Sequence, residues 1–293
     1  MKLYDELCSR NQSLSAMKKM YLSAPLPFMG QKRRFVRDFI KVLEGYPNGT
    51  TFVDLFGGSG LLSHISKCRK PASEVVYNDF DNFRRRLAAI PQTNIILREL
   101  RDIVKDVQRN KVITGDARER VLQCLRQHEQ RDGYVDYLTI STSVMFSMKY
   151  CSSLNTLQRE TLYNKVRQTD YPECGDYLEG LTVVSEDYRT LFSRYKDVPG
   201  VVFLVDPPYL STEVGSYDLY WRLSDYLDVL TVLAGHTFVY FTSDKSNILE
   251  LCDWMGKHPA TGNPFARCKR VEVGAHMNYL AQYTDIMLYT PTS

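Results

Sequence analysis

No run of about 18 consecutive apolar residues occurs in this 293-residue chain, so a membrane-spanning helix is not expected. Met1-Lys2-Leu3-Tyr4 does not open a charged-then-apolar leader, so secretion is not expected either. The seven cysteines (Cys8, Cys68, Cys124, Cys151, Cys174, Cys252, Cys268) are odd in number and never stand as C-x-x-C. That excludes a fully paired disulfide framework and a zinc knuckle, and points to free thiols in a reducing cytoplasm. Five histidines are scattered with no pair at ligand spacing, so no metal is expected. Internal repeats and low-complexity linkers are missing as well. A net charge of +3 selects no partner by itself.

What is present begins with Asp206-Pro207-Pro208-Tyr209. It follows Val201-Val202-Phe203-Leu204-Val205, an apolar run that reads as a buried parallel strand. Neither proline can donate to a ladder, and the first restricts Asp206, so the strand must stop there. The result is a stiff loop at a strand's carboxyl end, where open α/β sheets bind ligands.

Upstream, Phe52-Val53-Asp54-Leu55-Phe56-Gly57-Gly58-Ser59-Gly60 runs from a strand into a glycine turn, and Leu61-Leu62-Ser63-His64-Ile65 starts a helix. Glycines permit positive φ and close approach of a ligand to the backbone. Two familiar nucleotide loops are nonetheless incomplete. Ser63 stands where G-x-G-x-x-G needs its third glycine, and the Gly-Lys-Ser/Thr ending of a P-loop is absent. By itself the loop reads equally as a nucleotide site or as a tight connection. Glu74-Val75-Val76-Tyr77-Asn78-Asp79 is the next strand, ending in an acid placed to accept a ribose's hydroxyls. Asp81 is a competing acid, and Asp79 reads alternatively as a helix cap before Phe83-Arg84-Arg85-Arg86.

Taken in order, Pro27-Phe28-Met29-Gly30-Gln31-Lys32, Asp54-Leu55-Phe56-Gly57-Gly58-Ser59-Gly60, Asp79 and Asp206-Pro207-Pro208-Tyr209 resemble the Dam-type (D12 class, α-group) DNA adenine-N6 methyltransferases. The likeness covers about Pro25 to Pro291. It departs at Gln31, where the family has a second glycine, and at Ser141–Tyr150, which replaces the family's N-R-x-x-F-N-G-x-x-R stretch. Recognition sequence is therefore not carried over.

The resemblance implies S-adenosylmethionine as cofactor, S-adenosylhomocysteine as product, double-stranded DNA as partner and no metal. It implies that Asp206 and the Pro207 carbonyl accept from the adenine amine, Pro208 stiffens the loop, and Tyr209 stacks on a flipped base. Phe28, Gly30, Lys32, Asp54, Phe56, Gly57, Gly58, Gly60 and Asp79 would border the cofactor. Glu186-Asp187-Tyr188 looks like the family's D-F pair, placing Asp187 on the cofactor's adenine amino group and Tyr188 beside its ring; an ordinary loop before Leu191-Phe192 is the alternative. Thr242-Ser243-Asp244 would line the target-base pocket. A cognate restriction endonuclease is a partner compatible with this family. The other functions in view are an RNA adenine or cytosine-N4 methyltransferase of the same fold, and a catalytically silent DNA-binding subunit. Asp206 favours adenine over cytosine, whose enzymes mostly carry Ser there.

Charge and periodicity supply the organisation. From Arg84 to Arg131 twelve basic residues face six acidic ones, a surplus of six. This is the footprint of a polyanion binder or, alternatively, a solvated helix face. Arg118, Arg120 and Arg126 are the expected phosphate contacts, with Lys149, Lys165 and Arg167 in a segment where the family places a base-reading hairpin. Residues 1–24 read as a polar arm. Strands are expected near Thr51–Leu55, Glu74–Asp79, Leu181–Val184, Val201–Val205 and Thr237–Phe241, with a closing antiparallel pair near Arg267–Val273 and Asp285–Tyr289. Helices fit Lys32–Leu43, Gly60–Lys67, Phe83–Ile90, Leu219–Ala234 and Asn247–Trp254. The fold class expected is α/β, a doubly wound Rossmann-like methyltransferase sheet. Residues 1–92 and 178–293 would form the catalytic domain, and 93–177 a mostly helical inserted target-recognition region.

Overall fold

The computed structural model describes residues 19–146, 150–208, 222–258, 262–276 and 282–292. Tyr209, Lys149, most of the expected N-terminal arm and the start of the helix expected from Leu219 lie outside the described residues.

A seven-stranded sheet organises the chain. Its strands are β1 (Thr51–Asp54), β2 (Val75–Asn78), β3 (Thr182–Val184), β4 (Val201–Val205), β5 (Phe238–Ser243), β6 (Lys269–His276) and β7 (Gln282–Tyr289). They lie in the order β3-β2-β1-β4-β5-β7-β6. The first five are mutually parallel, and β7 runs antiparallel between β5 and β6. The doubly wound sheet and its antiparallel closing pair are thus as the sequence implies.

Alternate residues of one strand serve opposite faces, as the pleat requires. Phe52, Val75, Val202, Leu204, Val239 and Phe241 pack with α1 (Val36–Gly45) and α2 (Leu61–Arg69). Val53, Val76, Val201, Phe203, Val205 and Tyr240 pack on the other side. That face is covered by α8 (Tyr188–Tyr195), α9 (Leu223–Leu233) and α10 (Ile248–Gly256). Burial on both faces explains why β4 reads as an unbroken apolar run and not as an alternating one.

A third core lies in the helices between β2 and β3: α3 (Phe83–Ala88), α4 (Ile90–Ile103), α5 (Gly115–Asp132), α6 (Tyr137–Val144) and the single turn α7 (Leu154–Leu157). Its apolar residues include Ile96, Leu100, Val121, Leu125, Ile140 and Val166, and it also takes in Leu26 and Phe83. The chain enters the 93–177 segment inside α4, which begins at Ile90 with Pro91 in its first turn, where a missing N–H costs nothing. The helix expected at Phe83–Ile90 therefore stops at Ala88, and a second one follows at once. The helix α8 was not foreseen; its sequence supplies a cap, the Asp187 carboxylate accepting from the Arg189 N–H. Among the described residues no helix is long and apolar enough to cross a membrane.

Candidate active site

Strand order reverses at β1, which pairs with β2 on one side and β4 on the other. The two strands separate their connections there, so the crevice at their carboxyl ends is the place for a ligand. Register puts Asp54 beside Leu204, and the Leu55 N–H donates to the Leu204 carbonyl at 3.0 Å. Asp54 and Asp206 therefore end adjacent strands, although they are 152 positions apart in sequence.

Asp206 meets Lys32, which enters from the segment before α1. The Lys32 Nζ donates to Asp206 Oδ2 at 2.7 Å and to the Gly30 carbonyl at 2.8 Å. Gly30 adopts φ +77°, a conformation that favours glycine and aims its carbonyl back at Lys32. Lys32 is buried and Asp206 only one-fifth exposed. Burial pushes the Asp206 carboxyl above the usual carboxylate range, and the Lys32 ammonium pulls it back down. Oδ1 of Asp206 has no hydrogen-bond partner among the described residues.

The sequence reading missed a second acid here. Asp285, on β7 opposite Ser243, lies 4.0 Å from the Arg34 guanidinium. Burial raises its carboxyl, while Lys32 and Arg34 lower it. It also raises Asp206. Two acids and two cations thus share one end of the sheet. Only pairing of β7 with β5 brings Asp285 there, so local pattern carried no signal for it. Thr242, on β5, is fully buried with a hydroxyl lacking a partner among the described residues.

Asp54 is 1% exposed, and its Oδ2 accepts from the Ser63 hydroxyl at 2.7 Å. Ser63, the residue that breaks the dinucleotide-loop spacing, is therefore the partner of the β1 acid. Burial pushes the Asp54 carboxyl up to about 7, against the Ser63 hydrogen bond and with Asp206 adding to the rise. A raised folded-state value means that the folded protein holds this proton more tightly than the unfolded chain does. Its contribution to stability is complete below about pH 4 and is lost as pH rises through about 7. Wild type should accordingly lose stability relative to Asp54→Asn over that window, by at most about 4 kcal/mol. Urea titrations of both proteins at several pH values check this, with equal pH slopes as the failing result.

The glycine loop is shaped by its own surroundings. A Cβ on Gly57 would stand 2.4 Å from the Tyr77 ring and 2.5 Å from the Asn78 carbonyl, so no side chain fits there. Gly58 and Gly60 have φ +51° and +70°, and a Cβ on Gly58 would meet the Phe28 ring at 3.0 Å. Tyr77 has its hydroxyl 2.7 Å from the Gly58 carbonyl and 3.0 Å from Asp79 Oδ1; its one proton serves either acceptor. Asn78 joins the strand tips, donating to the carbonyls of Leu55 and Glu186 and accepting from the Glu186 N–H. Neither Tyr77 nor Asn78 was assigned a role from sequence.

Asp79 is 6% exposed and accepts from the backbone N–H groups of Phe83 (2.6 Å) and Arg84 (3.1 Å). Its carboxylate therefore caps α3, the alternative left open above, whether or not it also receives a ribose. Asp79→Ala should reduce stability by about 1 kcal/mol for the lost cap. If a ribose is held there too, S-adenosylmethionine affinity should also fall by about 1–3 kcal/mol. Calorimetry on the folded variant separates the two roles, because a cap alone leaves affinity unchanged.

Across the crevice, the rings of Phe56 and Tyr188 lie 4.9 Å apart at 34°. Asp187 is half exposed beside them, with Oδ1 committed to the Arg189 N–H. His64 is fully buried: Nδ1 donates to the Tyr177 carbonyl at 2.7 Å, and Nε2 accepts from the Tyr21 N–H at 2.9 Å. The Tyr177 hydroxyl in turn donates to the Ser59 carbonyl at 3.0 Å, tying the end of the inserted segment to the glycine loop.

The basic stretch is less free than its charge implies. Arg86 is buried against Asp136, Arg98 and Arg101 pair with Asp170, and Arg109 donates to the Lys165 and Val166 carbonyls. Arg118 donates to the Gln158 carbonyl and contacts Glu119. Arg120 and Arg126 are exposed, with Asp116 3.9 Å from Arg120. Lys165 and Arg167 lie over the rings of Phe146 and Tyr171.

A doubly wound sheet with an antiparallel β7 between β5 and β6, and an Asp-Pro-Pro turn after β4, defines a Rossmann-like methyltransferase. The family model for D12 class N6 adenine-specific DNA methyltransferases matches residues 28–229, more than half of the chain, and the protein belongs to that family. A Haemophilus influenzae protein provisionally named a methyltransferase is 35% identical over 287 residues, spanning 94% of each chain. The crystal structure of an rRNA methylase from Streptococcus thermophilus covers 90% of this chain and 99% of its own, at 9% identity and a TM-score of 0.33. A likeness that weak carries no argument.

Proposed function

We propose that this methyltransferase uses S-adenosylmethionine to methylate the N6 amine of an adenine flipped out of duplex DNA. One observation carries the reading: Asp206, at the strand end beside Asp54, is held by Lys32, with its second carboxylate oxygen making no hydrogen bond among the described residues. The Lys32 ammonium favours the carboxylate form of Asp206 against the upward push of burial, and Oδ1 with the Pro207 carbonyl would accept from the adenine NH₂. Those two acceptors draw the amine's lone pair out of conjugation with the ring. The two prolines hold the acceptors still, and positioning of this kind supplies much of the rate. Tyr209, the next residue, would stack on the base.

The crevice fits the cofactor by its donor set. Phe56, Tyr188 and the half-exposed Asp187 suit an adenine ring and its amino group. The loop Gly57–Gly60 would border the methionine end, with Phe28 packed against Gly58. Bound there, S-adenosylmethionine supplies an electrophilic methyl on a sulfonium. Residues 93–177 would form the recognition region. Arg120, Arg126, Lys165 and Arg167, with Lys149 and the partly committed Arg118, would face DNA phosphates and bases.

Labelled methyl transfer from S-adenosylmethionine to duplex DNA and to RNA, followed by digestion to nucleosides, tests the reading. N6-methyl-2′-deoxyadenosine from duplex DNA is expected. Label confined to RNA, or to cytosine N4, would assign the site to another substrate. No transfer to any substrate would favour a silent DNA-binding subunit.

A further inference from the structure

Away from the crevice, α4 and α5 bring three potential metal ligands of different chemistry to one point. Cys124 and His128 stand at i and i+4 on α5, one above the other on a single helix face. Glu99, on α4, reaches both. Its Oε2 lies 3.3 Å from the Cys124 Sγ and 3.1 Å from the His128 Nε2. All three ligand atoms lie within 4.8 Å of one another. Cys124 and His128 are buried and Glu99 is about half exposed, so the site has a closed back and one side open to solvent.

We propose that Glu99, Cys124 and His128 bind a divalent transition-metal ion of the zinc type. A thiolate, an imidazole and a carboxylate around zinc would stand about 2.0–2.3 Å from it. A tetrahedral arrangement at those lengths separates its ligands by roughly 3.3–3.5 Å. The two separations from Glu99 need to open by only a few tenths of an ångström, and the Cys124–His128 separation, which is no more than 4.8 Å, has to come to about 3.5 Å. Three protein ligands and one open position is an arrangement zinc adopts with water as the fourth ligand.

The surrounding groups suit the change. Without metal, Arg131 Nη2 lies 2.8 Å from His128 Nδ1, and an arginine can only donate. Nδ1 is then the acceptor, and Nε2–H donates to Glu99. Metal binding at Nε2 requires the proton on Nδ1 instead. Asp132 Oδ2 is 3.4 Å from that nitrogen and would accept it once the Arg131 guanidinium swings off Nδ1, giving the carboxylate–histidine–metal triad that fixes the ring in metal sites. The Cys124 thiol proton leaves to solvent. The charges of the thiolate, Glu99 and the dication then cancel, and Asp132 keeps its ion pair with Arg131. The ion would clip α5 to α4, the two helices whose Leu97, Leu100, Val121 and Leu125 share a core.

The sequence reading expected no metal because it weighed histidine pairs and C-x-x-C. A Cys-x-x-x-His pair completed by a glutamate from the preceding helix escapes both patterns.

Titrating the full-length reduced protein with Co²⁺ should give one equivalent of binding and a near-ultraviolet thiolate-to-cobalt charge-transfer band, both displaced by Zn²⁺. Cys124→Ser should remove the band. Glu99→Gln, at a half-exposed position, should weaken Zn²⁺ binding at least tenfold without unfolding the protein. Asp132→Asn should weaken it about 10–100-fold, as loss of an outer partner does. A band that persists in Cys124→Ser would place the metal on another cysteine and overturn the assignment. So would unchanged affinity in Glu99→Gln, or no band in the wild type.

Discussion

Asp206→Asn should lower methyl transfer by at least about 10³-fold while S-adenosylmethionine affinity stays within a few-fold of wild type. The side chain keeps its shape and one oxygen, but loses the charge that makes it a strong acceptor for the amine. Loss of a single transition-state hydrogen-bond partner elsewhere costs about 10²–10³-fold. In the proposed mechanism the partner also fixes the geometry of the nucleophile. Asp206→Ala should do no better, and should add a structural fault. Lys32 is 8% exposed and would lose the carboxylate 2.7 Å from its ammonium, keeping the attraction of Asp285. That loss should cost about 2–3 kcal/mol, below the ~3–5 kcal/mol of a fully buried pair because Asp206 is one-fifth exposed. The double variant Asp206→Ala/Lys32→Met should recover most of that stability and none of the turnover. Single-turnover transfer, calorimetric affinity and urea midpoints together check the claim. Turnover within tenfold of wild type in Asp206→Asn would remove this residue from the chemistry.

The parts of the fold legible in the sequence are those fixed by short-range rules. Val201–Val205 is apolar throughout because both faces of the sheet are covered, and the prolines after it end the strand without help from any neighbour. The glycine turn after β1 was equally plain. Its reason was less so: the Cβ of Gly57 is excluded by Tyr77 and Asn78, packing that belongs to the strand after it. The helix read at Phe83–Ile90 overran α3 to the first residue of α4 because the break at Ala89 is one residue wide, and an α-helix accepts proline in its first turn.

Side-chain roles were harder wherever the partner comes from a distant strand or helix. Asp285 reaches the site only through β7 slotting between β5 and β6. Ser63 looked like a defect in a glycine pattern and proved to be the hydrogen-bond partner of Asp54. Asp79 offered two readings, and the structure shows its carboxylate on the first amides of α3. The charge of the 84–131 stretch was countable, but pairing was not. Asp136 and Asp170 lie outside that window; Asp136 pairs with Arg86, and Asp170 is shared by Arg98 and Arg101 within the fold.

Arg86 is where that distinction has its largest expected effect on stability. Its Nε lies 3.0 and 3.1 Å from the two Asp136 oxygens, and Nη2 donates to the Pro27 carbonyl and the Thr139 hydroxyl. Asp136 also accepts from the Thr139 N–H and hydroxyl at the start of α6. One guanidinium thus fastens α3, α6 and the segment carrying Phe28, with both charges at 3% exposure or less. Arg86→Leu should cost about 3–5 kcal/mol, because it leaves the Asp136 carboxylate buried without a counter-charge. Arg86→Lys should recover little, since an ammonium cannot satisfy two carboxylate oxygens, a carbonyl and a hydroxyl in one plane. Adding Asp136→Asn to Arg86→Leu should restore part of the loss by removing the stranded charge. Urea unfolding with unchanged m-values measures each step. A loss below about 1 kcal/mol in Arg86→Leu would mean that Asp136 finds solvent or another cation.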